Sequence, residues 1–171
     1  MVRVERPDAK RLLGPGFPGD AGEAAPAVAR ALAAYADRSG SYADALAALS
    51  EARVLVPVVA VLGDVEYDAQ GLAHDKTSDM ATVLLTGADG RQALLAFTSM
   101  TTLTTWQADA RPVPVALRDA AKAALQDDAA ALVVDVAGPV PFAIEGQDLT
   151  ALAAGYRLGR VGDSTAWIAP A

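Results

Sequence analysis

The sequence predicts a single-domain α/β (α+β) fold, a mixed β-sheet that contains a β-hairpin and carries helices packed on it. Helical periods at 24–36, 41–53 and 115–127 are interspersed with apolar runs rich in β-branched residues at 54–62, 81–97 and 131–138. The run at 81–97 is interrupted by Ala88-Asp89-Gly90, where glycine supplies the positive φ of a tight turn and makes two antiparallel strands. With 171 residues, 53% of them apolar, the chain is long enough to bury one substantial core.

Residues 1–23 are rich in Gly and Pro without a sustained period, and they predict an extended, partly mobile arm ahead of one domain at 24–171. The arm contains GPGFPG at 14–19, which matches a dinucleotide fingerprint in letters only. Pro15 and Pro18 remove two N–H donors and no strand is expected before it, so it reads as a plain loop. The first helix, 24–36, places Val28, Leu32 and Tyr35 on one face, with Pro26 in the tolerant first turn. Gly40 closes it, Ser41 caps the second helix at 41–53, and Tyr42, Leu46 and Leu49 form that helix's apolar face. VLVPVVAVL at 54–62 is apolar on both faces, as in a strand covered on each side, and Pro57 requires one of its edges to be unpaired or bulged. A long polar connection follows at 63–79, and then the hairpin.

Pro112 and Pro114 stand two apart in ARPVPV, so both missing donors fall on one side and the segment reads as an edge strand. The helix at 115–127 is amphipathic through Leu117, Ala121 and Leu125. Strands are expected at 131–138 and 139–146, then a short helix capped by Asp148 and closed by Gly155, and a last strand at STAWIA.

Composition excludes several functions. A net charge of −7 and a pI near 4.6, with scattered Lys and Arg, argue against nucleic acid or an anionic membrane as partner. No cysteine excludes thiol catalysis and thiolate metal sites, and a single histidine removes most zinc chemistry. The longest apolar run is far short of the roughly 20 residues that span a bilayer, and no secretory signal pattern opens the chain. The expectation is a cytoplasmic protein without a cofactor or a resident metal.

Chemistry-bearing residues are few. Asp64, Glu66, Asp68 and Asp75 approach calcium-loop spacing, but Ala69 stands where the turn requires Gly. His74 is the only histidine available as a general base, and it lies in a polar segment beside Asp75 and Lys76. No G-x-S-x-G or S-x-x-K pattern occurs, so no catalytic residue is assigned. FTSMTTLTTW at 97–106 holds six hydroxyl residues within eight positions. With Ser99 as cap, Met100, Leu103 and Trp106 fall on one buried face, and the threonines occupy the others. The functional alternative is that Thr98, Ser99 and Thr102 with the helix-start N–H groups receive an anion or a carboxylate.

Taken together, FPGDAG (17–22), RVLVPVVAVLG (53–63), HDKTSDMA (74–81), DGRQALLAFTSMTTLTTW (89–106), ARPVPV (110–115) and ALVVDVAGPVPFAIEG (131–146) resemble the actinobacterial SseB-like proteins over roughly residues 15–155. That resemblance implies the fold of an SseB N-terminal domain and supplies no catalytic residues. The functional expectation is a non-catalytic domain that binds a protein partner or self-associates. Its candidate binding residues are Lys76, Thr77, Ser78 and Asp79 from the long connection, Phe97, Thr98 and Ser99 at the strand end, and Trp106 with Arg111. The alternative is a small-molecule or anion-binding protein, or a hydrolase, using the helix start at Ser99 with Lys76 or Arg111 as counter-charge.

Overall fold

A computed structural model describes residues 2–4, 17–61, 66–67, 73–74, 79–162 and 164–170. In chain order the elements are β1 (Val2–Val4), α1 (Pro26–Ala36), α2 (Tyr42–Ser50), β2 (Arg53–Val61), β3 (Glu66–Tyr67), β4 (Ala73–His74), β5 (Asp79–Thr86) and β6 (Gln92–Ala96). There follow α3 (Met100–Trp106), β7 (Arg111–Ala116), α4 (Leu117–Gln126), β8 (Ala131–Val134), β9 (Phe142–Glu145), α5 (Gly146–Ala153), β10 (Arg157–Val161) and β11 (Ser164–Ile168).

Seven strands form the main sheet, in the order β7-β2-β5-β6-β8-β9 with β1 added against β5. All its pairings are antiparallel except β6 with β8. This is the mixed α+β architecture that the sequence predicts. Alternation along each strand sends side chains to two different cores. Val54, Val56, Leu84, Leu94, Ala96, Leu132 and Val134 face α1, α2, α4 and α5 in the larger core. Leu55, Val83, Leu95 and Phe97 face the other way, where α3 covers them with Leu103.

The register explains the prolines. Leu55 exchanges both backbone hydrogen bonds with Phe97, at 2.7 and 2.8 Å. Odd-numbered positions of β2 therefore point their backbone groups toward β6 and β5, and even-numbered ones toward β7. Pro57 falls between the Leu55–Phe97 bridge and the ladder to β5 that begins at Val58, where β2 changes partner and needs no donor. Pro112 and Pro114 pair in register with Pro57 and Leu55, so their nitrogens lie on the free edge of β7, the outermost strand.

Several expectations are revised. Val2–Val4, ahead of GPGFPG where no strand is expected, pair with β5 as β1. Within 63–79, β3 and β4 make a short antiparallel pair. Leu125 is 40% exposed, because it sits about 80° around α4 from Leu117, while Ala120 and Ala124 take the buried positions. Asp148 lies in the first turn of α5 rather than capping it, since the chain passes directly from β9 through Glu145 into the helix. The last strand has a partner, β10, that sequence reading does not anticipate. In β10, Gly159 interrupts the apolar pattern, and the side chain of Ile168 fills its place, within 2.4 Å of where a Cβ would stand.

Candidate functional site

The hydroxyl-rich stretch begins where β6 ends. Ser99 is the cap of α3: its side chain accepts from the Thr102 N–H at 3.1 Å, and Thr102 Oγ1 accepts in return from the Ser99 N–H at 3.4 Å. The Met100 N–H donates to the carbonyl of Gly22 at 2.7 Å. Thr104 and Thr105 turn their hydroxyls back onto the carbonyls of Met100 and Thr101, at 2.8 Å each. Trp106 packs on Phe97 with ring centroids 5.5 Å apart.

Thr98 is tied to Asp135, at the end of the parallel neighbour β8. Its N–H donates to Asp135 Oδ1 at 2.8 Å and its hydroxyl to Oδ2 at 2.6 Å. Both residues are buried, at 5% and 3% exposure. Asp135 adopts a left-handed backbone, φ 53°, that Asp tolerates better than most residues, and its N–H continues the ladder onto the Ala96 carbonyl.

The Thr98 carbonyl accepts from Arg53 Nη1 at 2.9 Å. Arg53 also donates through Nη2 to Asp20 Oδ1 at 2.6 Å and to the Glu23 carbonyl at 2.7 Å, and its Nε completes a two-point pairing with Asp20. Asp20 Oδ1 in turn accepts from the Gly22 N–H. Gly22 has φ +79°, and a Cβ there would come within 2.4 Å of Met100 Cγ, so only glycine lets this turn reach the helix start. Segment 17–23, β2, β6, α3 and the end of β8 are thus fastened at one corner of the sheet.

A different arrangement lies on the helical side. A cleft of about 310 Å³ opens between α2, α5 and the β10–β11 hairpin, lined by Tyr42, Leu46, Gln147, Asp148, Leu158 and Trp167 among others. The Trp167 indole N–H donates to Asp148 Oδ1 at 3.0 Å. Tyr42 stacks one ring face on Phe142, with centroids 4.8 Å apart, and donates its hydroxyl to the Ala143 carbonyl at 3.3 Å. Burial first, and the Asp148 carboxylate second, push the Tyr42 hydroxyl up to about 12. A second cleft, about 290 Å³, lies by Glu51, Arg118, Tyr156 and Arg157.

The family model for the SseB protein N-terminal domain matches residues 28–151. The chain belongs to that family. No curated protein and no solved structure shows significant similarity to it. The matched span of the SseB N-terminal domain runs from within α1 to within α5, so it holds Arg53, Thr98 and Asp135, while Asp20 and the β10–β11 hairpin lie outside it.

Among the sequence candidates, Phe97, Thr98, Ser99 and Trp106 come together at the strand end. Lys76, Thr77 and Ser78 lie outside the described residues, as do Asp64, Asp68 and Asp75; Asp79 is the first backbone position of β5. Arg111 opens β7 opposite Val58, three positions along β2 from the Leu55–Phe97 bridge, or roughly 10 Å. Among the described residues, the cation that reaches the strand end is Arg53, which sequence reasoning passed over. Its signal was a lone charge at the head of an apolar strand. Asp135 had a signal as well, a carboxylate embedded in ALVVDVAG that burial obliges to find donors. No group of three or more His, Asp or Glu among the described residues is placed to hold a metal ion.

Proposed function

We propose that this SseB N-terminal domain is a non-catalytic binding domain and that its hydroxyl-rich strand end is a structural clasp. The observation that carries the reading is the burial and mutual saturation of that corner. A nucleophile must be reachable, and Thr98 with its carboxylate partner Asp135 is almost completely enclosed. Ser99 and Thr102 spend their hydroxyls on each other's backbone, and the first N–H of α3 is taken by the Gly22 carbonyl. No buried side-chain polar atom among the described residues lacks a hydrogen-bond partner. Two clefts among the described residues lie between helices and the C-terminal hairpin, and a protein or small-ligand contact is the use that fits them.

The test compares the wild-type chain with Thr98→Val and Asp135→Asn on generic chromogenic ester, phosphate and amide substrates. The expected result is no turnover above the uncatalysed rate in any of the three, with both variants melting at lower temperature. Wild-type turnover that disappears in Thr98→Val, at a temperature where that variant is still folded, overturns the reading. Sedimentation across a concentration series then separates a second copy of the chain from a different partner.

A further inference from the structure

We propose that the cleft between α2, α5 and the β10–β11 hairpin binds an organic cation, an ammonium or guanidinium group, between Asp148 and the rings of Trp167 and Tyr42. The ion pairs among the described residues engage Arg53, Arg91, Arg118 and Lys122, and none involves Asp148. The groups that hydrogen-bond to it in the cleft, the Trp167 indole and the Tyr42 hydroxyl, are both neutral, so they orient the carboxylate without compensating its charge.

The remaining walls suit a cation with an apolar body. Leu46 and Leu158 supply hydrocarbon, and tryptophan and tyrosine faces attract positive charge through their quadrupoles. Tyr42 is stacked on Phe142 and meets Tyr35 in a T-shaped contact, and together these fix the ring at the wall of the cleft. A volume of about 310 Å³ stands at the small end of ligand pockets and fits a single head group rather than a nucleotide. The chain's net charge of −7 draws cations toward it. The cleft also joins two parts of the chain, because Tyr42, Leu46 and Asp148 belong to the family-matched span and Leu158 and Trp167 to the hairpin beyond it.

This inference rests on the binding-domain reading and deepens it. The test follows the Trp167 indole N–H resonance by NMR, identified by its loss in Trp167→Phe, during titration with butylammonium, a capped arginine-containing peptide, butanol and butyrate. Saturable shifts with a cation, absent with butanol and butyrate and at least about tenfold weaker in Asp148→Asn, support the site. Asp148→Asn retains a carbonyl oxygen for the indole and removes the negative charge. A tighter response to the peptide assigns the cation to a partner's side chain, and a tighter response to butylammonium assigns it to a free amine. No saturation with either cation, an equal response to butanol, or unchanged affinity in Asp148→Asn overturns the proposal. Turnover at Thr98 would remove the non-catalytic reading without moving this titration, so the two fail separately.

Discussion

At Tyr42 an aromatic side chain is held with its hydroxyl in surroundings that resist ionisation. Burial raises its pKa first, the Asp148 carboxylate adds to this, and Tyr35 and Glu145 contribute less, bringing it to about 12. The folded chain therefore keeps this proton to higher pH than the unfolded chain, whose phenol titrates near 10. The stabilisation is complete below the unfolded value and is lost as pH rises from there through about 12. Ultraviolet phenolate absorbance of the wild type minus that of Tyr42→Phe is expected to show a midpoint near 12; a midpoint at the ordinary tyrosine value would contradict the placement. Legibility at this scale was uneven. The caps at Ser41 and Ser99 could be read because capping is local chemistry, and both form the expected bonds. The meeting of Tyr42, Asp148 and Trp167 could not, since three segments distant in sequence make it and no spacing rule links them.

Among the elements, β7 shows how composition governs an edge. Its outward nitrogens at Pro112 and Pro114 cannot donate, so an added strand would find two of its acceptors unmet. The opposite edge is guarded differently. Asp135 donates its N–H to Ala96, so alternation turns the odd positions of β8 toward β6 and the even ones toward β9. Ala143, opposite Val133, then faces outward, and its carbonyl is occupied by the Tyr42 hydroxyl. These blocks argue against self-association by strand addition at either end of the sheet. Replacing Pro112 and Pro114 together by Thr is expected to preserve the circular dichroism spectrum and increase concentration-dependent association in sedimentation. Unchanged sedimentation would show that the prolines do not protect the edge. The edge strand was legible because two prolines at a spacing of two state their own geometry. The partner switch of β2 at Pro57 was legible only as a requirement for an unpaired place, since which strands meet there depends on the whole sheet.

For the whole molecule, the Asp20–Arg53 pairing joins segment 17–23 to the sheet corner. Its side chains are only 15% and 12% exposed, so removing one partner leaves a largely desolvated charge. Arg53→Met is expected to cost about 3 kcal/mol, a fall in melting temperature on the order of 10 °C, and to speed proteolytic cleavage before Pro26. An unchanged melting temperature would reduce the pairing to a surface contact. The layered plan was readable from the strands that are apolar on both faces, which demand cover on each side, and from the amphipathic helices that supply it. The fastening of the Gly- and Pro-rich segment onto α3 was not, because a turn built from backbone carbonyls and a glycine has no hydrophobic period to betray it.

The lone parallel pairing has a consequence for synthesis. β6 and β8 are neighbours in space, yet α3, β7 and α4 come between them in the chain. A growing polypeptide that has released β2, β5 and β6 holds an antiparallel sheet with Leu94 and Ala96 still uncovered by α4 and α5. The central strands gain their last neighbour only once the ribosome has passed residue 134. Until then the nascent chain presents apolar surface to the cell, and its final folding awaits a late, long-range closure.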